Sequence, residues 1–126
     1  MGDDQRSVSE VIDDDAHELA HLRLSAERIA ARMQEITDRA AEALGTWVRL
    51  DEWREAKIAE TRGCLPCPWP HRAEFRKRVT TLRMRDSGRT FEWSDLNIHF
   101  IAAHGFFEGR GSTFRTEPAE LVAALF

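Results

Sequence analysis

Between Val8 and Leu50 apolar side chains recur at alternating steps of three and four: Leu19, Leu22, Ala26, Ile29, Met33, Ile36, Ala40, Ala43, Trp47 and Leu50, with Ile12 and Val8 extending the register backwards. That spacing is the seam of an amphipathic helix, and so narrow a stripe has to be buried against something. It predicts a long, coiled-coil-like helical region over residues 8–50. The seam would pack on a second copy of the chain, on a different protein, or on the chain's own C-terminal half. Ser9 is a candidate cap, since Asp13, Asp14 and Asp15 then fall in the early turns, where carboxylates oppose the positive end of the helix dipole. Gly45 and Thr46 interrupt the run. They predict a kink or short turn, with Thr46 capping a second helical stretch to about Thr61 on which Trp47 and Trp53 are packing anchors.

The chain has 126 residues, 42% hydrophobic and 32% charged, enough for one ordinary domain with an extension. No apolar run approaches the ~18–20 residues that a membrane helix needs, and the start, MGDDQRSVSEVIDDD, is acidic where a signal peptide would be basic and then apolar. A soluble, cytoplasmic chain without membrane contact is the expectation. The net charge of −4 is unevenly spread, with 15 acidic against 9 basic residues up to Arg62 and 7 against 9 after it. The basic excess sits in Arg72, Arg76, Lys77, Arg78, Arg83, Arg85 and Arg89, opposed within that segment only by Glu74 and Asp86. Such a patch can attract phosphates, giving a nucleic-acid-binding surface, or can line the wet side of a hairpin.

The only two cysteines, Cys64 and Cys67, stand two residues apart among Pro66, Pro68 and Pro70, in CLPCPWPH. A tight turn with that spacing can offer two thiolates to one metal ion. Downstream, SDLNIHFIAAHG reads as a helix, with Ser94 as cap, Leu96, Phe100, Ile101 and Ala103 on its apolar faces, and Gly105 as stop; it carries His99 and His104. Two thiolates and two imidazoles satisfy the tetrahedral preference of zinc, and His71 is a possible substitute ligand. Between the pairs, Lys77 to Arg85 alternates Val79, Thr81 and Arg83 with Thr80, Leu82 and Met84, and Arg89 to Trp93 is a second β-prone run. Asp86, Ser87 and Gly88 make the turn. A redox role for the cysteines lacks the strand and helix context of a thioredoxin-like motif.

Knuckle, hairpin and histidine-bearing helix, from about Cys64 to His104, resemble a C2H2 zinc finger. The resemblance implies a structural Zn2+ held by Cys64, Cys67, His99 and His104, with no open position for a substrate water. It departs from the family in the interval between Cys67 and His99, far longer than the family's usual dozen or so residues. The first helical turn also reads Ser94, Asp95, Leu96, Asn97, which lacks the basic residues of major-groove readout.

His17, Glu18 and His21 spell HELAH, which matches the H-E-x-x-H zinc hydrolase signature. Leu19 and Leu22 lie on the seam, so His17 and His21 belong on the outside of the helix, and no third ligand follows nearby. The glycines of HGFFEGRGSTF lack the lysine and following helix start of a phosphate-binding loop. Phe106, Phe107 and Phe114 can cover a small core, and Glu117 and Pro118 open a C-terminal helix whose Leu121, Val122, Leu125 and Phe126 need an apolar surface.

Together these features predict an α+β chain in two parts. Residues 1–62 form a helical interaction or oligomerisation region. Residues 63–126 form a zinc-bound ββα module with a short C-terminal helix, in which the metal supplies folding energy that a small core cannot. The functional expectation is a non-catalytic assembly adaptor that binds a protein partner, or itself, through the seam and the apolar C-terminus, with no small-molecule substrate. Nucleic-acid binding through the basic hairpin is the alternative, and hydrolysis by HELAH a third.

Overall fold

A computed structural model of the protein describes residues 5–43, 45–66, 74–108 and 114–126, with residues 62–66 and 74 described by their backbone alone. The fold is α+β. In chain order it comprises α1 (Val8–Leu22), α2 (Ala26–Ala40), β1 (Val48–Arg49), β2 (Arg54–Pro66), β3 (Glu74–Met84), β4 (Thr90–Ser94), α3 (Asp95–His104) and α4 (Pro118–Leu125). The strands form one antiparallel meander in the order β1-β2-β3-β4. Among the described residues no helix is long and apolar enough to cross a membrane.

The continuous helix expected over 8–50 is instead two helices of 15 residues each. Arg23 takes a left-handed conformation (φ 57°) and closes α1, its N–H bonding to the Leu19 and Ala20 carbonyls. Two residues later the Ser25 hydroxyl accepts from the Arg28 N–H at 3.1 Å and starts α2. The break lets one stripe serve two surfaces: α2 packs on α3 and the sheet, while α1 reaches α4. The cap of α1 is Ser7, whose hydroxyl accepts from the Glu10 N–H, not Ser9.

The second helical stretch, expected from Thr46 to Thr61, is a correction of type. Residues 48–61 are β1, a turn and the first part of β2. The Asp51 side chain organises the turn, accepting from the Trp53 N–H at 2.8 Å and from Arg54 Nη1 at 2.9 Å. Burial alone would raise the Asp51 carboxyl; these two partners outweigh it and hold it below its usual value. The helix-forming composition of EAKIAE is overridden because β3 offers β2 a ladder running from Arg54↔Met84 to Pro66↔Glu74. Trp47 and Trp53 are therefore not helical anchors. Trp47 lies between cations, with Lys57 Nζ 4.8 Å and Arg83 Cζ 3.9 Å from its ring centroid, and Trp53 stands 55% exposed in the turn.

The β3/β4 hairpin follows the expected alternation. Thr80 and Leu82 are buried, while Val79, Thr81 and Arg83 are half-buried on the other face. Gly88, at φ 73°, supplies the left-handed residue of the turn. One hydrophobic core draws on α1, α2, the sheet, α3 and α4, with Leu19, Ile29, Met33, Ile36, Leu82, Trp93, Ile101, Leu121 and Leu125 among its members. Apart from Val8, which is 39% exposed, the seam residues of α1 and α2 are thus spent wholly or partly inside this chain, and the 62/63 boundary falls within β2.

A buried polar link fixes α2 on the sheet. Thr37 and Thr80 hydroxyls lie 2.7 Å apart, and Trp93 Nε1 donates to Thr37 Oγ1 at 2.9 Å. Thr37→Val orphans both partners at nearly constant volume, so urea unfolding is expected to show a loss of about 1–3 kcal/mol. Unchanged stability would mean that this link does not hold α2 to the sheet.

Candidate metal centre

Helix α3 is built as its sequence demands. The Ser94 hydroxyl accepts from the Asn97 N–H at 3.1 Å, and the Asn97 side-chain oxygen accepts from the Ser94 N–H at 2.8 Å, a reciprocal capping box. Gly105 ends the helix at φ 63°. Phe100 and Phe106, their rings 5.7 Å apart, pack with Val11 in a small second core flanked by Ile12, Phe75 and Leu96.

Of the candidate ligands, α3 brings His99 and His104 together. The His99 and His104 rings meet edge to face with centroids 5.2 Å apart, and Phe75 of β3 stacks on His99 at 4.6 Å. Phe75 pairs across the sheet with Leu65, next to Cys64, which pairs with Arg76 just after a register shift in β2. Phe75 thus ties the β2/β3 ladder to His99 of α3. Cys67 and His71 lie outside the described residues. Among the described residues no group of three or more His, Cys, Asp or Glu side chains could hold a metal ion.

The chemistry of the donor set suits zinc. Two imidazoles on one tetrahedral zinc, each nitrogen ~2.0–2.1 Å from the metal, put their ring centroids roughly 5 Å apart. The observed separation has that size, which is also the size of an ordinary edge-to-face ring contact.

HELAH is placed otherwise. His17 and His21 are exposed on α1, while Glu18 Oε1 accepts from the Ala119 N–H at 3.2 Å. Glu117 gives α4 no side-chain cap, so Glu18 serves that helix end from α1. The basic hairpin is largely paired within the protein. Arg76 makes a two-pronged contact with Glu60, with both bonds 2.7 Å. Arg78 Nε bonds both Asp95 oxygens at 3.1 Å. Arg83 pairs with Glu55, Arg89 with Glu120 at 2.7 Å, and Arg85 donates to the Glu52 carbonyl at 3.3 Å. Lys77 is exposed, and Arg72 lies outside the described residues.

A buried ion cluster escaped the sequence reading. Arg115 clamps Asp15 of α1 at 2.6 and 3.0 Å, bonds Glu117 at 2.9 Å and donates to the Glu108 carbonyl at 2.9 Å. The Arg115 and Asp15 side chains are only 6% and 3% exposed. Burial opposes the charge on Arg115, but Asp15 and Glu117 outweigh it and raise the guanidinium above its ordinary value. The signal was present in the pattern: Asp15 occupies the seam position between Ile12 and Leu19, and a charge on a buried stripe calls for a partner.

The fold defines an α+β protein with a four-stranded antiparallel sheet. Compared with known protein families, curated proteins and solved structures, the chain matches none.

Proposed function

We propose that the protein is a non-catalytic, zinc-stabilised adaptor. Cys64, Cys67, His99 and His104 would hold the ion, with His71 as substitute. The observation that supports this reading is the approach of the His99 and His104 rings on α3, with Phe75, from the strand that pairs with the Cys64 segment, stacked on His99. When bound, zinc would tie β2 to α3 as a Lewis-acid crosslink. Four protein ligands leave no coordination position for a reacting water, which is why the proposed role is binding.

The surface for a protein partner differs from the seam, which the core consumes. Large apolar side chains that remain outside include Trp53, 55% exposed, and Phe126, 49% exposed. They belong to the same end of the fold, because Arg54, beside Trp53, donates to the Ala124 carbonyl at 2.6 Å and Arg32 to the Leu125 carbonyl at 3.0 Å. Those arginines satisfy C-terminal carbonyls of α4, and the Phe126 ring lies 5.5 Å from Arg28 Cζ of α2. Exposed aromatics on a polar surround have the character of a binding patch.

Cobalt titration tests the centre. Co2+ is expected to give thiolate-to-metal charge-transfer bands and the strong visible bands of a tetrahedral site. Both should be lost in Cys64→Ser and His104→Ala and retained in His17→Ala. A spectrum that survives Cys64→Ser, or that vanishes with His17→Ala, would overturn the assignment.

A further inference from the structure

A groove of about 400 Å³ lies between the turn end of the β3/β4 hairpin and α4, with Met84, Phe91, Ala119, Ala123 and Ala124 as its apolar lining. Its size is within the range of small-molecule sites, ~300–1,000 Å³, and is ample for one large side chain. Ala119 and Ala123 stand one turn apart on α4 and are exposed, so the groove is open where a longer side chain would fill it. Asp86, Arg89 and Glu120 give it charge. Arg89 pairs with Glu120 at 2.7 Å, both about half exposed, and its Cζ lies 4.9 Å from the Phe91 ring centroid. An ion pair so exposed is worth little by itself and leaves Arg89 available to a second carboxylate.

Trp53 is carried by the adjoining turn. Of the described large apolar side chains left outside, it is the most exposed, at 55%. Its backbone is held at both polar groups, the N–H donating to Asp51 at 2.8 Å and the carbonyl accepting from the Arg85 N–H at 2.7 Å. The next residue, Arg54, pairs with Met84 across the ladder and donates to the Ala124 carbonyl at 2.6 Å. Two residues of the groove lining therefore flank the turn that bears the indole. An aromatic side chain on a turn fixed in this way has little freedom left to lose when it is buried.

We infer that Trp53 of one copy enters this groove of a second copy, and the reverse, in a two-fold dimer. Because indole and groove adjoin on one chain, a single two-fold axis can satisfy both contacts at once, as a self-complementary interface requires. The neighbouring charges match in the same sense. Glu52 and Arg85 are exposed beside Trp53, with Arg85 donating to the Glu52 carbonyl at 3.3 Å, and the groove offers Arg89 and Asp86, also exposed. Asp51 is already engaged by Arg54. Two buried tryptophans account for ~300–500 Å², well short of the ~1,200–2,000 Å² of a standard stable interface, so the dimer is a micromolar one. The proposal shares with the adaptor reading the role of Trp53 as a contact residue and does not rest on zinc.

Analytical ultracentrifugation of the full-length protein tests it. The wild type is expected to dimerise with a Kd of roughly 10 µM. Trp53→Ala, which removes the knob, and Ala123→Arg, which fills the groove from an exposed helical position, should each weaken dimerisation by at least about tenfold. Both change exposed positions, so their thermal unfolding should stay within a few degrees of the wild type. Mixing the two variants restores one knob and one groove, and the mixture should associate more tightly than either variant does alone. A wild type that is monomeric at about 100 µM, a dimer untouched by Trp53→Ala or Ala123→Arg, or a mixture no tighter than its components would each overturn the inference. A monomeric chain would leave the zinc reading standing, and failure of the cobalt titration would leave the dimer standing.

Discussion

Arg115→Met is expected to lower the unfolding free energy by about 3–5 kcal/mol, the loss that follows when one partner of a buried ion pair is removed. In this variant Asp15, only 3% exposed, keeps its place in α1 with no cation to face. The Glu108 carbonyl and Glu117 each lose a donor as well. The arithmetic of thermal unfolding for a chain of this size turns such a loss into a fall in Tm of roughly 10–20 °C. Asp15→Ala is expected to cost less, because Arg115 still has Glu117, whose side chain is 40% exposed and can follow it. Replacing both charges, as Asp15→Leu with Arg115→Met, should recover part of the loss, since two well-packed apolar groups in place of an ion pair are often close to neutral. Urea unfolding of the three variants measures this. Arg115→Met within about 1 kcal/mol of the wild type would mean that the pair is solvated and that α1 is not pinned to the segment around Arg115.

On the proposed zinc reading, chelation is expected to have the second-largest effect. The whole-chain core makes that effect smaller than for an isolated finger, which has apparent metal binding energies of ~10–16 kcal/mol and is unfolded without its ion. Here Leu82, Trp93, Ile101 and Leu121 are buried in a core shared by the helices and the sheet, so the apo protein should stay folded. Zinc at about a thousandfold over its Kd contributes ~4 kcal/mol by mass action, so excess chelator is expected to lower Tm by roughly 10–15 °C. Hydrogen exchange should locate the change, with protection lost first at the paired ends of β2 and β3 around Cys64 and Phe75 and in the last turn of α3. Cys64→Ser should unfold at the Tm of the chelated wild type and no longer respond to chelator. A chelator-insensitive wild type would contradict the zinc reading.

Legibility in the sequence divides along a physical line. Where a local signal had no competitor, the element formed as expected: Ser94, Asn97 and Gly105 delimit α3, Asp86 to Gly88 turn the β3/β4 hairpin, and Pro118 opens α4. The seam is apolar as expected, but it runs through two helices and not one rod. The Ser25 cap and the left-handed turn at Arg23 are small local terms, and what exploits them is the sheet and α4, which periodicity alone does not show. Residues 54–61 failed for the opposite reason. Their helical propensity is real and weak, and the long pairing with β3 outweighed it. For the candidate site, the histidine helix was readable from its caps, whereas the Phe75 stack on His99 depends on the strand register. Glu18 of HELAH has a structural role that the motif does not show: its carboxylate holds the start of α4.

Native mass spectrometry of the protein purified without chelator or added metal reads zinc per chain and chain count in one spectrum, with Cys64→Ser and His17→Ala measured in parallel. One zinc per chain, lost in Cys64→Ser and kept in His17→Ala, is the predicted result. Absence of zinc from the wild type, or zinc that depends on His17 and not on Cys64, would contradict it.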